Sequence, residues 1–312
     1  LLPPFSEEPA VMALHLGHPE WLIRRWLRRY GAGATRRLCE WNNRVHPLTL
    51  RVNTLKTTAI ELCEVLRDEG FQAETDSRLP NCCLVDGARG LFDGGAYNAG
   101  LFHVQGRSSQ VAATMAAPAP GHLVLDACAG RGGKSFLMAQ QCSCRARIVS
   151  TDRVSAVRGV LIREARRLGI PCIRPVTADA LDLPEALRGP YDSILLDAPC
   201  SGLGTIHRHQ EIKWNRSREA VGRLHDEQTK LLTKCVEYLK VGGALLYAVC
   251  TFEPEETVDV VNAVLARGLA VQPLPAELRE YGLQVDEDGT MTILPQRDDM
   301  EGFFMARLVR VR

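Results

Sequence analysis

The stretch Ser193-Ile194-Leu195-Leu196-Asp197-Ala198-Pro199-Cys200 decides the fold class of this chain. Its apolar run, Ile194 to Leu196, is continuous rather than alternating, as is typical of a strand buried on both faces of a parallel sheet. A second apolar run, Ala244 to Val249, has the same character and leads directly into Cys250. Because ligands bind outside the carboxyl ends of parallel strands, we expect the cysteine that follows each run to face one crevice, beside the carboxylate of Asp197.

Strands and helices alternate from residue 101 to residue 312, which predicts an α/β domain with a doubly wound parallel sheet. A helix over 156–168 should end at Gly169, and one over 221–240 should end at Gly242-Gly243. Strands are expected at 123–126, 148–151, 172–176, 193–197 and 244–249.

Two smaller units precede this domain. Residues 1–48 are expected to be helical, because His18-Pro19-Glu20 opens an amphipathic helix that Gly31 and Gly33 would close. Residues 49–100 are expected to form a small, RRM-like α/β subdomain that binds RNA. Its elements would be a strand from Arg51, a helix over 58–69, and strands near 71–74 and 83–85.

Composition limits the class of protein. With 312 residues, of which 46% are hydrophobic, the chain can bury a sizeable core. It has no apolar run of 18 or more residues, and its start at Leu1 lacks the basic flank and apolar stretch of a signal peptide. We therefore expect a cytoplasmic monomer without membrane contact, with its eleven cysteines reduced. No C-x-x-C spacing occurs, so no metal site is expected.

The net charge of +1 conceals a strong asymmetry. Residues 21–51 carry eight arginines against one acid, with aromatic residues between them, and residues 145–174 carry eight arginines against two acids. Residues 253–301 hold twelve acidic and three basic residues. For any single arginine a solvated helix face is the simpler interpretation. Arginine also pairs with phosphate and stacks on bases, so the first cluster as a whole predicts contact with RNA.

A glycine-rich turn follows the first strand of the large domain, Asp126-Ala127-Cys128-Ala129-Gly130-Arg131-Gly132-Gly133-Lys134-Ser135. A Walker A loop needs Gly at position 128, and a dinucleotide turn needs Gly or Ala at position 135, so neither matches. An S-adenosyl-L-methionine loop fits better, because small residues let the amides of the next helix approach the cofactor carboxylate. Asp152 and Asp179 follow the next two strands and can accept hydrogen bonds from the ribose and adenine, although each could be an ordinary cap or turn residue.

These motifs together resemble a known family, the RNA cytosine-C5 methyltransferases of the Fmu/Sun (RsmB) group. The resemblance covers nearly the whole chain, and His18-Pro19-Glu20-Trp21-Leu22 is similar to the RsmB branch, which modifies 16S ribosomal RNA. The segments that carry the resemblance are Arg51-Val52-Asn53-Thr54-Leu55-Lys56, Val104-Gln105-Gly106-Arg107-Ser108-Ser109-Gln110, the 126–135 loop, Asp197-Ala198-Pro199-Cys200-Ser201-Gly202-Leu203-Gly204-Thr205, Lys213-Trp214, Cys250-Thr251 and Glu301-Gly302-Phe303-Phe304.

The sequence departs from the family at three places. Arg131 stands where the family usually has Pro, and Gly106-Arg107 replaces its usual Asp-Glu. The sequence also lacks the NusB-like RNA-binding domain that is typical of the amino terminus in the RsmB branch.

The resemblance implies a Rossmann-like methyltransferase domain, S-adenosyl-L-methionine as cofactor and RNA, most simply 16S rRNA, as partner. It implies that Cys250 adds to C6 of the cytosine, that Asp197 stabilises charge at N3, and that Cys200 assists release. For Lys134 the sequence leaves three interpretations open: contact with the cofactor carboxylate, pairing with Asp197, or an ordinary lysine at the start of a helix. The implied cofactor-binding residues are Cys128, Ala129, Gly130, Arg131, Gly132, Gly133, Lys134, Asp152, Arg158, Asp179 and Asp197.

Three alternatives remain open on the sequence. One is a tRNA or other rRNA cytosine-C5 methyltransferase, and another is a catalytically idle RNA-binding factor of ribosome assembly. A dehydrogenase is the third, disfavoured by the sequence of the glycine turn.

Overall fold

A computed structural model describes residues 4–116, 118–265 and 268–311. The expected absence of a signal peptide, which concerned the start at Leu1, therefore falls partly outside the described residues. The helices are α1 (Pro9–Leu16), α2 (Glu20–Asn43), α3 (Ala59–Asp68), α4 (Gly95–Asn98), α5 (Arg107–Met115), α6 (Gly133–Gln141), α7 (Ser155–Leu168), α8 (Ile212–Asn215), α9 (Arg218–Tyr238), α10 (Val258–Leu265) and α11 (Pro295–Asp298). The strands are β1 (Leu48–Val52), β2 (Gln72–Thr75), β3 (Cys82–Asp86), β4 (Phe102–Val104), β5 (Leu123–Asp126), β6 (Arg147–Asp152), β7 (Ile173–Thr177), β8 (Tyr191–Asp197), β9 (Leu239–Val249), β10 (Leu269–Val271), β11 (Met291–Ile293) and β12 (Phe303–Arg310).

The small sheet has the strand order β2-β3-β1-β4, and all its pairs are antiparallel. With α3 between β1 and β2 and α4 between β3 and β4, this is the β-α-β-β-α-β arrangement of ferredoxin-like units. Thr58 and Glu61 form a reciprocal capping box at the start of α3, which explains why the helix begins there. The fourth strand lies just past residue 100, where the sequence suggested a boundary.

The large sheet has the order β10-β12-β9-β8-β5-β6-β7, with β11 paired to β12. Its five strands β7, β6, β5, β8 and β9 are parallel, whereas β12 is antiparallel to β9. The strand order reverses at β5, and a doubly wound sheet leaves a crevice at such a point. The predicted Rossmann-like class is confirmed, with the antiparallel strands at one side as an addition that the sequence did not predict.

The glycine pair Gly242-Gly243 does not end a helix, as the sequence suggested. Helix α9 ends at Tyr238, and both glycines lie inside β9. Gly242 has a φ of +78°, and the pairing of β9 with β8 is irregular on this side of Ala244. The glycines therefore accommodate a β-bulge, so β9 begins at Leu239 rather than at the predicted Ala244.

Helix α2 is broken at Gly31, where φ is +75° and ψ is 173°. Gly31 thus interrupts the helix as predicted, but Gly33 lies within the second helical piece and does not end it. The buried face of α1 and α2 packs on Leu203, Ile206 and Phe252 of the large domain. No helix in the described ranges combines the length and the apolarity needed to cross a membrane.

Part of the arginine cluster at residues 21–51 is used inside the protein. Arg25 pairs with Glu253 and Glu255, and Arg29 Nη1 lies 3.3 Å from Glu253 Oε2. Trp26 is fully buried and donates its indole N–H to Glu253. The late acidic segment therefore neutralises part of the early basic one, and these side chains hold α2 against the large domain.

Arg51 cannot contact RNA, contrary to the prediction for its cluster, because it is fully buried. Its Nη1 donates to Gln105 Oε1 at 2.6 Å and to the carbonyl of Gly133, the first residue of α6. Arg51 therefore joins β1 of the small domain to the start of α6 in the large one.

Asn53 makes a second connection between the two domains. Its Nδ2 donates to the carbonyls of Gly100 and Leu168, both at 2.8 Å, and its Oδ1 accepts from Gln140 Nε2 at 2.6 Å. The side chain is fully buried, so each of these groups would otherwise lie in the interior without a partner.

We expect the substitution Asn53→Ala to lower the free energy of unfolding by about 3 kcal/mol, because it leaves buried polar groups unpaired. The measurement is a urea titration followed by circular dichroism. The neighbouring Thr54→Ala, at an exposed position, serves as control and should stay within about 0.5 kcal/mol of the parent. Equal stability of the two variants would show that Asn53 does not hold the domains together.

Candidate active site

The parallel strands bring the predicted site residues to one edge of the sheet. Asp126, Asp152 and Asp197 are the last residues of β5, β6 and β8, and Cys250 directly follows β9. Asp179 lies two residues beyond the end of β7. Five loops from five neighbouring strands therefore meet at the carboxyl edge of the sheet.

The two cysteines that follow β8 and β9 are in contact. Cys200 Sγ lies 3.2 Å from Cys250 Sγ, and both residues are half-buried. The hydrogen bond from Cys200 lowers the pKa of the Cys250 thiol; Lys134 acts in the same direction, whereas burial and Asp197 oppose it. The same hydrogen bond, together with burial, raises the pKa of the Cys200 thiol. The pair is therefore polarised, with Cys250 the more readily ionised thiol.

Asp197 forms an ion pair with Lys134, one of the three alternatives that the sequence left open. Lys134 Nζ donates to Asp197 Oδ2 at 2.6 Å and lies 5.4 Å from the centre of the Phe303 ring. Burial opposes the charge on Lys134, but Asp197 outweighs it and raises the pKa of the ammonium group. The ion pair lines the same cleft as Cys250.

The glycine loop between β5 and α6 is shaped by backbone constraints at two positions. Gly132 has a φ of +84°, and a Cβ there would overlap Leu161 and Phe136. Gly130 has a φ of +49°, and its Cβ would meet no atom within 4 Å, so this part of the loop faces open space. Both positions favour glycine because L side chains rarely adopt these conformations.

The aspartates after β6 and β7 support turns and line a cavity at the same time. Asp152 accepts from the amides of Gly130 at 3.0 Å and Val154 at 2.8 Å, and Asp179 accepts from the amide of Leu181 at 2.9 Å. Each carboxylate oxygen can accept a further hydrogen bond. Asp152 and Asp179 can therefore support their turns and bind a ligand at the same time.

Two cavities adjoin this edge and share Cys128 in their walls. The smaller, of about 60 Å³, lies between Asp152, Asp179 and Leu181. The larger, a cleft of about 1040 Å³, lies between the two domains and is lined by the glycine loop, Lys134, Asp197 and Cys250. Arg158 is exposed on α7 and is not part of either wall as described.

The sequence did not indicate the residues that hold the Cys200 loop. Glu256 Oε1 accepts from the amide of Ser201 at 2.7 Å, and Gln228 Nε2 donates to the carbonyl of Pro199 at 2.8 Å and to Glu256 at 3.0 Å. Both side chains are fully buried. A polar residue on an amphipathic helix carries no signal of the loop that it will bind, so Gln228 could not have been found from sequence alone.

The departure at Gly106-Arg107 has a physical explanation. Glu301 lies over Gly106, where a Cβ would overlap its carboxylate, and it pairs with Arg208 at the cleft wall. Arg107 instead reaches Asp76, with Nη1 3.4 Å from Oδ2. In this chain Glu301 therefore occupies the space that a side chain at position 106 would take.

Two family models match the chain: "16S rRNA methyltransferase RsmB/F" over residues 113–309 and "Methyltr_RsmF/B-like, ferredoxin-like domain" over residues 18–90. The probable ribosomal RNA small subunit methyltransferase B of Bacillus subtilis (strain 168) is 31% identical over 95% of this chain and 67% of its own length. Ribosomal RNA small subunit methyltransferase B of Pseudomonas syringae pv. tomato is 33% identical over 100% of this chain and 69% of its own length. The chain thus spans about two-thirds of the length of these relatives.

Solved structures show the same fold. The crystal structure of PH0851 has a TM-score of 0.91 and 28% identity, over 98% of this chain and 69% of that one. A methyltransferase homolog protein from Pyrococcus horikoshii has a TM-score of 0.82 and 27% identity, over 98% of this chain and 100% of that one.

We expect Cys200→Ala to slow alkylation of Cys250 by iodoacetamide at pH 7 by about three- to tenfold, because it removes the hydrogen bond that lowers the pKa of Cys250. The midpoint of the rate against pH should move to higher pH. Peptide mass spectrometry measures the labelling at each pH. The control is Cys172→Ala, a half-buried thiol outside the cleft walls, which should leave the rate at Cys250 unchanged; an unchanged rate in Cys200→Ala would contradict the polarised pair.

Proposed function

The chain belongs to the RsmB/F family of 16S rRNA methyltransferases, and we propose that it methylates C5 of a cytosine in small-subunit ribosomal RNA with S-adenosyl-L-methionine. The observation that carries this proposal is the contact of Cys200 with Cys250 beside the Asp197–Lys134 pair in the large cleft. The named activity of the two bacterial relatives supports ribosomal RNA as the substrate.

The walls of the two cavities fit the cofactor. Asp152 and Asp179, which line the smaller cavity, would hold the adenosine, with their carboxylates accepting from the ribose hydroxyls and the adenine amine. The open space at Gly130 and the first turn of α6 would take the amino-acid end. When bound there, S-adenosyl-L-methionine supplies an electrophilic methyl group.

Cys250 has the chemistry that a cytosine needs before it can be methylated. C5 of the ring is too weak a nucleophile to accept the methyl group unaided, and addition of a thiolate at C6 converts the ring to an enamine. Cys250 lines the cleft, and the hydrogen bond from Cys200 lowers its pKa, so the thiolate that the addition needs forms more readily there. The cytosine must be unpaired or turned out of its helix for this thiolate to reach C6.

The Asp197–Lys134 pair is placed to stabilise the negative charge that this addition creates at N3. The Lys134 ammonium donates a hydrogen bond to the Asp197 carboxylate at 2.6 Å. As the C6–S bond forms, a proton can pass from the ammonium through the Asp197 carboxylate to N3, and it can return by the same route when the bond breaks.

Cys200 is assigned to release of the product. After transfer, the C5 proton must pass to a base, and the electron pair of the C6–S bond must return to Cys250. Cys200 lies 3.2 Å from Cys250, close enough to assist this step directly or through water.

We expect Cys200→Ala to form an RNA adduct that survives denaturation, because addition by Cys250 continues while release stalls. The adduct should appear as a slower band on a denaturing gel after incubation with cofactor and a small-subunit rRNA transcript. Cys250→Ala should give neither adduct nor methylated product.

The matched control is Cys172→Ala, which should turn over like the parent. An exchange of the two phenotypes would reverse the roles of the thiols and leave the methyltransferase proposal intact. Absence of methyl transfer from labelled cofactor by the parent protein to any rRNA would instead favour an idle assembly factor, and methylation of tRNA alone would favour the tRNA alternative.

The cofactor assignment is tested separately with Asp179→Ala. We expect this change to weaken binding of S-adenosyl-L-methionine by about 10- to 100-fold, the effect of losing a hydrogen bond to a charged group. Isothermal titration calorimetry measures the dissociation constant. Asp182→Ala, at an exposed carboxylate in the same loop that pairs with Arg188, should bind as the parent does; equal weakening in both variants would assign the loss to the loop.

A further inference from the structure

The cleft is larger than one base and the end of a cofactor require. Its volume of about 1040 Å³ lies at the upper limit of the roughly 300–1000 Å³ that is usual for sites burying one drug-sized ligand. One wall carries Cys250 and the glycine loop, and the other is formed by the small domain and α7. The part that faces the small domain has no role in the chemistry described above.

Phe92 is an exposed aromatic side chain in this second wall. It lies between β3 and α4 and is 47% exposed. Its ring meets Tyr97 edge to face at a centroid distance of 5.3 Å. Tyr97 is fixed in turn by the guanidinium of Arg167, 3.9 Å from its ring centre. Phe92 is therefore held from one side and presents ring surface to the cleft.

Arg163 lines the same cleft from α7. It is exposed, and in the described parts of the chain no carboxylate pairs with it. The adjacent carboxylate of Glu164 does not neutralise Arg163, because it binds Arg167 at 2.7 Å and lies 3.4 Å from His103. Arg131 of the glycine loop is likewise exposed in the cleft and unpaired among the described residues. Two positive charges without a carboxylate partner among the described residues thus face the cleft, Arg163 from the wall that carries Phe92 and Arg131 from the opposite wall.

We propose that Phe92, Arg163 and Arg131 form a subsite for one nucleotide of the substrate RNA that flanks the target cytosine, an inference that rests on the proposed function. The base stacks on Phe92, and its phosphate pairs with Arg163 and Arg131. Single-stranded nucleic acid is recognised by this combination of an aromatic surface and arginines. Continuity with the cleft of Cys250 selects RNA as the occupant, because a strand whose base reaches Cys250 must continue along the same cleft.

The subsite predicts a change in RNA affinity without a change in chemistry. Phe92→Ala and Arg163→Ala should each raise KM for a small-subunit rRNA transcript by roughly 5- to 100-fold with kcat unchanged, because a stacking or phosphate contact is made before and during the reaction. Phe92→Trp should restore the parental KM, since it keeps the aromatic surface. The dissociation constant for S-adenosyl-L-methionine, measured by calorimetry, should not move.

The chain offers matched controls for both variants. Arg166 is an exposed arginine on the same helix that does not line the described cleft wall, and Ile60 is 67% exposed on α3 of the same small domain. Arg166→Ala and Ile60→Ala should leave KM and kcat at the parental values.

A modified substrate separates stacking from a structural effect. The parent protein is measured with two short RNAs, each carrying an abasic residue on a different side of the target cytosine. We expect KM to rise with one of these RNAs and to stay unchanged with the other. The same abasic RNA should cause no further loss in Phe92→Ala, because the contact is already absent.

Three results would overturn the subsite. The first is a parental KM in both Phe92→Ala and Arg163→Ala. The second is a KM for Phe92→Trp that is as high as that of Phe92→Ala. The third is a further rise in the KM of Phe92→Ala with each of the two abasic RNAs. In each case the parent and the control variants still methylate the transcript, so the proposed function stands. If the parent itself methylates no rRNA, both proposals fail together.

Discussion

The pairing of β8 with β9 is the constraint on which the rest of the site depends. Asp197 lies opposite Ala248 in this parallel ladder, so β8 and β9 end side by side. The cysteines that follow them, Cys200 and Cys250, therefore lie 3.2 Å apart. A slip of one residue would turn every side chain of a strand to the other face. The register is fixed because both strands are buried, with Ile194 and Leu245 fully enclosed in one core. The packing that stabilises the sheet therefore also sets the distance between the two sulfurs.

The strand ends could be predicted from sequence because they depend on local patterns. Continuous apolar runs mark β8 and β9, and the geometry of parallel sheets then forces their ends to one edge. The choice of partner for Lys134 could not be settled in this way, since Asp197 is distant in sequence and the contact depends on how the loop folds. Strand β12 was missed for a related reason, because it lies beside β9 in the sheet and no local signal shows where an antiparallel strand will insert.

The arginine-rich segment at residues 21–51 shows that the distribution of charge along a sequence does not reveal which charges pair in the fold. Arg25 and Arg29 bind Glu253 directly, and Trp26 donates to the same carboxylate. The excess of positive charge near the start and of negative charge near the end is therefore partly one internal network. Composition reports both excesses but not their contact, which arises only when α2 packs on the loop after β9. The arginines that stay exposed, among them Arg28 and Arg37, keep the RNA-binding interpretation that the whole cluster first suggested.

The buried guanidinium of Arg51 connects the shape of the cleft to the small domain. Burial, with Arg167 acting in the same direction, lowers the pKa of Arg51 to about 9, and its Nε and Nη2 have no hydrogen-bond partner. The Gly133 carbonyl that it binds belongs to the helix following the glycine loop, so a movement that widened the cleft would separate a buried cation from one of its two acceptors. Such a loss costs several kcal/mol, and Asn53 adds its own contacts across the same junction. These contacts oppose a widening of the cleft, and on the proposed function the cytosine must leave its strand to reach Cys250.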